Sequence, residues 1–66
     1  MKIRLNGKNE VSEDAQTLSE LIARRGLTPE RIVIEYNERI VPREEWGSVR
    51  LAENDAIEIV SFVGGG

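Results

Sequence analysis

Sixty-six residues make one domain with a small core, since a chain of this size buries only about 60% of the surface its unfolded form exposes. It holds 9 Lys and Arg against 12 Asp and Glu, with no histidine and no cysteine, for a formal net charge of −3. This excludes disulfides, Cys/His zinc sites, thiol nucleophiles and Ser-His-Asp triads, argues against a non-specific nucleic-acid surface, and comes with no apolar run near the ~20 residues that span a bilayer.

Met1 leads straight into Lys2-Ile3-Arg4-Leu5 with no secretory h-region, so a cytoplasmic chain is expected. Ile3 and Leu5 alternate with Lys2 and Arg4, the period of a half-buried strand. Asn6-Gly7 is a strong hairpin signal, because a type I′ turn needs positive φ at both central positions. Lys8 to Val11 is the returning strand, with Val11 expected on the core side. Ser12 to Gln16 is polar and reads as a loop.

Thr17 to Arg25 is the one helix. Thr17 and Glu20 form a T-x-x-E capping box, and Leu18, Leu21 and Ile22 make an apolar stripe. Arg24 and Arg25 suit the negative end of the helix dipole, Gly26 is placed for a left-handed stop, and Leu27 can fold back over it. One buried face means that the helix lies on a sheet. Thr28 to Arg31 is a turn with Pro29 suited to a first helical position.

Ile32, Ile34 and Tyr36 alternate with Val33 and Glu35 as a further strand, and Asn37-Glu38 turns into a fourth strand, Arg39-Ile40-Val41. Pro42 ends that strand because it cannot donate to a ladder. Arg43 to Gly47 is expected to be irregular, Val49 and Leu51 briefly extended, and Glu53 to Asp55 a turn. Ile57 and Ile59 alternate with Glu58 and Val60 in the last strand, and Phe62 continues the outer face. The order β-β-α-β-β-β predicts an α+β fold with one helix across a mixed four- to five-stranded sheet, the last strand beside the first. Residues 1–63 form the domain and 64–66 a flexible tail.

Three features bear on function. Val60 and Phe62, with Val33 on the same face, form a candidate partner-docking patch beside the tail; the alternative is ordinary packing over the sheet edge. Trp46 reads as a core plug rather than an interface hot spot, and Glu44 and Glu45 as a solvated face. Arg39 and Arg43 flank the fourth strand and are candidates for steering an acidic partner. Gly64-Gly65-Gly66 follows the last strand, where residues without side chains pack nothing. Such an end suits a carboxylate that must thread a narrow channel; the alternative is a frayed end. No nucleophile-base pair or metal constellation is present, so the chain is expected not to be an enzyme.

The hairpin with Asn6-Gly7, the capped helix, the strand reaching Tyr36-Asn37, Ile40-Val41-Pro42-Arg43 followed by Trp46, and the ending Val63-Gly64-Gly65-Gly66 resemble the ThiS family, the ubiquitin-like sulfur carriers of thiamin biosynthesis, over the whole chain. The resemblance implies a β-grasp fold and a covalent carrier role. Gly66 would be adenylated by an E1-like ThiF enzyme that uses ATP, then converted to a thiocarboxylate with sulfur from a cysteine desulfurase relay. That thiocarboxylate would serve the thiazole synthase ThiG. Gly65 would be needed for activation, and Gly64 matches a position where the family accepts other small residues. The carrier itself would bind no cofactor and no metal and be monomeric when free. The alternatives are the small subunit of molybdopterin synthase, with the same fold and tail logic, and a non-covalent β-grasp interaction module.

Overall fold

The computed structural model describes residues 1–14 and 16–62. Strands β1 (Lys2–Leu5) and β2 (Lys8–Val11) are joined by Asn6 and Gly7, whose φ values of 51° and 81° are the positive pair expected of a type I′ turn. The two-residue turn sets the register: Leu5 faces Lys8, Ile3 faces Glu10 and Lys2 faces Val11. Directly paired residues share a face, so Glu10 points with Ile3 toward the core and Val11 points with Lys2 away from it. Val11 is 84% exposed, which corrects its expected core placement. The parity of the hairpin overrides the preference of an apolar side chain on an edge strand. The inward position belongs instead to half-buried Glu10, which Arg25 meets with an ion pair.

Helix α1 (Leu18–Arg24) carries both ends of its capping box: the Glu20 amide donates to the Thr17 hydroxyl at 3.1 Å, and the Thr17 amide donates to the Glu20 carboxylate at 2.8 Å. The Thr17 amide bond is the main reason that the Glu20 carboxyl lies below its ordinary range. At the other end Gly26 has φ 67°, the Leu27 amide reaches Ile22 O at 3.3 Å, and the Gly26 amide reaches Ala23 O at 3.1 Å. These two bonds are the Schellman pattern, which satisfies carbonyls that the helix leaves open.

Strands β3 (Ile32–Tyr36), β4 (Arg39–Ile40) and β5 (Ala56–Ser61) complete one five-stranded sheet of order β2-β1-β5-β3-β4. β1 and β5 are parallel neighbours near its centre, as expected, and the other pairs are antiparallel. The fourth strand stops one residue early, because Val41 turns into the core and bonds Ile34 O through its amide at 3.1 Å. The segment expected to be irregular is a 3-10 helix, Arg43–Ser48. The expected extended stretch at 49–51 is reduced to an isolated bridge between Thr17 and Arg50, with Leu51 buried.

Ile3, Leu5, Ile32, Ile34 and Ile57 of the sheet meet Leu18, Leu21 and Ile22 of the helix in a single core, closed by Val41, Trp46 and Leu51. Burying each such aliphatic side chain contributes about 1.5–3 kcal/mol before chain entropy is counted. Trp46 is the expected plug: it is 4% exposed, and its indole N–H donates to Val41 O at 2.9 Å. Glu44 and Glu45 are exposed beside it. No helix among the described residues is long and apolar enough to cross a membrane.

Candidate functional site

The candidate carrier residues Gly64, Gly65 and Gly66 lie outside the described residues, as does Val63. What the fold builds is the root from which they continue. β5 pairs with β3 along its length, from Ile57 opposite Tyr36 to Ser61 opposite Ile32, and the Phe62 amide donates to Arg31 O at 3.0 Å.

The start of β5 is fastened by a polar node. Asp55, 7% exposed, accepts from the Tyr36 hydroxyl at 2.5 Å, the Asn37 side-chain amide at 3.1 Å and the Ala52 backbone amide at 2.7 Å. Asn37 returns the link: its side-chain oxygen accepts from the Ala56 amide at 2.8 Å, and its own amide donates to Ala56 O at 2.7 Å. Desolvation first, then the hydrogen bond to Asp55 and that group's charge, push the Tyr36 phenol up to about 12. Farther along, the Asn6 side chain accepts from the Ile59 amide at 2.7 Å, so the hairpin turn braces the same strand.

Alternation along this fixed strand puts Ile57 and Ile59 inward and Glu58, Val60 and Phe62 outward. Val60 stands directly opposite Val33. Of the three expected docking residues, Val33 and Val60 share one open face at 37% and 59% exposure, while Phe62, 49% exposed and one residue past β5, borders Leu27, Thr28 and Arg31 at the sheet edge. Ile40 belongs to that face as well, because it pairs with Glu35 on β4, and it is 63% exposed. The sequence reading missed Ile40; counting parity across the Asn37-Glu38 turn, where φ is 48° and 70°, would have found it. It also read Asp55 only as part of a turn, and nothing in its neighbours marks a buried carboxylate. Of the two candidate steering arginines, Arg43 is paired with Glu30 at 3.4 Å, while Arg39 is exposed on β4.

Chemically, the described body offers support and a surface. No group of three or more potential metal ligands converges among the described residues. Beyond the helix, on the other side of the sheet from the apolar patch, an open groove runs between α1 and the 3-10 helix, lined by Ile22, Ala23, Leu27, Pro29 and Trp46.

Comparison with known proteins agrees with this architecture. The ThiS family model matches residues 3–66. The sulfur carrier protein ThiS of Bacillus subtilis is 38% identical over 97% of this chain and 98% of its own. A thiazole synthase of Magnetococcus marinus is 44% identical over all of this chain, which spans only 20% of that protein's length. The crystal structure of a thiamine biosynthesis protein, ThiS, from Geobacter metallireducens superposes with a TM-score of 0.86 at 26% identity, covering the whole of both chains. The match over nearly the full length, in sequence and in a five-stranded sheet crossed by one helix, places this chain in the ThiS family, the β-grasp sulfur carriers of thiamin biosynthesis.

Proposed function

We propose that this chain carries sulfur as a thiocarboxylate on Gly66 and delivers it for thiazole formation. The observation that carries the reading is the family match through residue 66, joined to a body whose last strand enters the sheet between β1 and β3 and stays paired with β3 as far as Ser61. A carboxylate does not accept a sulfur nucleophile until one oxygen becomes a leaving group. Adenylation supplies it: the Gly66 carboxylate attacks the α-phosphorus of ATP on a ThiF-like enzyme, and pyrophosphate leaves. The outer sulfur of a cysteine persulfide from a desulfurase relay then forms the C–S bond as AMP departs, and a second thiol attacks the resulting acyl disulfide, releasing the thiocarboxylate and leaving a disulfide on the relay. The chain acts as a co-substrate, and ATP belongs to its activating partner.

Gly65 and Gly64 let the backbone pass where a Cβ would clash, while Phe62, Val60 and Val33 hold the body against the enzyme that receives the tail. Similarity to thiazole synthases favours a ThiG-like enzyme as one such partner. Incubation with a ThiF-like enzyme, ATP and a sulfur donor should exchange one oxygen for sulfur at Gly66, read by intact mass. A chain lacking Gly65 and Gly66 should stay unmodified with its fold intact. Rescue of a thiazole auxotroph, and not of a molybdenum-cofactor mutant, fixes the pathway. An unchanged mass with an active enzyme would defeat the proposal.

A further inference from the structure

Glu35 and Glu58 stand directly opposite each other on β3 and β5, both exposed on the outer face. Like charges in this position repel, so the pair works against the sheet that holds it. Among the described residues neither carboxylate takes part in an ion pair. The cations of the same face, Lys2 and Arg4, lie on β1, where Arg4 is level with Ala56. The pair is set among apolar neighbours: Val33 and Val60 form the next outward rung, and Ile40 flanks Glu35 from β4. Doubled negative charge at the margin of an exposed apolar patch is complementary to a cation carried on an apolar surface.

Resting on the carrier reading above, we infer that Glu35 and Glu58 receive an arginine of the thiazole synthase that docks on this face. A guanidinium is planar and offers several donors at once, so it can bond both carboxylates, and its weak hydration suits a site that closes against aliphatic side chains. Its methylene stem covers Val60 while the charge reaches the pair. The thiazole synthases of Magnetococcus marinus and Paramagnetospirillum magneticum each contain a segment similar to the whole of this chain, which favours that enzyme as the occupant. Repulsion that costs stability in the free chain is then relieved on binding.

The test is calorimetric titration of the full chain into its cognate thiazole synthase at two salt concentrations. The variants are Glu35→Gln/Glu58→Gln, Phe62→Ser, and Glu44→Gln/Glu45→Gln as a control away from the face. The first should bind about tenfold or more weakly and lose much of its salt dependence, the second should also weaken, and the control should match the native chain. The melting temperature of Glu35→Gln/Glu58→Gln should equal or exceed the native value, because repulsion is removed. Native binding by Glu35→Gln/Glu58→Gln alongside weakened Phe62→Ser overturns the inference and leaves the docking reading standing. Native binding by both defeats docking on this face altogether. A loss seen only with the adenylating enzyme overturns the choice of occupant, and a lowered melting temperature makes the pair a folding element instead.

Discussion

The two faces of one sheet make opposite use of the same residue types. Ile34 and Ile57 point inward and are 0% exposed, while Val33 and Val60, one strand position or a few away, point outward at 37% and 59%. The inner face is closed by the helix and Trp46; the outer face is left open and carries the root of the tail. Backbone alternation therefore separates the core from the face proposed for recognition at a distance of one residue. A small domain needs that separation, because its total stability, about 0.05–0.15 kcal/mol per residue, leaves little room for exposing core side chains to a partner.

The contrast is broken most sharply by truncating neighbours on β3. Ile34→Ala should cost about 2–5 kcal/mol in urea unfolding, a large part of the whole, whereas Val33→Ala should stay within about 0.5 kcal/mol. Similar losses at both positions would show that the outer face is also packed. Asp55→Ala tests the node that fixes β5: it leaves the Tyr36 hydroxyl, the Asn37 side-chain amide and the Ala52 amide short of an acceptor, for an expected loss of about 2–3 kcal/mol. Phe62→Ser should leave the unfolding midpoint in place while weakening enzyme binding about tenfold, the inverse of Ile34→Ala. Thr17→Ala removes one side of the capping box and should cost about 1 kcal/mol with no effect on binding.

The pH dependence is silent near neutrality and appears only in alkali. The Tyr36 phenol is raised to about 12 from an ordinary 10, so its neutral form is favoured in the folded state. The contribution is complete below pH 10 and is lost as pH rises from there through 12. Tyr36→Phe should flatten the fall of the unfolding midpoint over that interval.

Local rules carried much of the fold. The capping box, the Gly26 stop and the Asn6-Gly7 turn each follow from residue chemistry acting over a few positions, and all three occur where the sequence places them. Side-chain facing across a turn was less legible. Val11 is apolar and was read inward, yet the register imposed by two turn residues puts it outward and hands the core side to Glu10. The burial of Asp55 was illegible for a different reason: its three donors come from β3, the turn after it and the segment before β5, and only the folded chain brings them together. The exposed apolar face was partly legible. Alternation located Val33, Val60 and Phe62, while Ile40 and the opposed carboxylates depend on which strands become neighbours.

The position of β5 between β1 and β3 also governs when the molecule comes into being. A ribosome releases this segment last among the strands, and until it arrives β1 and β3 have nothing to bridge them. The nascent chain must wait for contacts between its opening and closing stretches, which are the slow kind to form. Because Val60 lies on that same strand and Phe62 follows it directly, the apolar surface proposed for docking is completed by the very event that completes the sheet. On the docking proposal, a polypeptide interrupted during synthesis thus presents no finished surface to a partner.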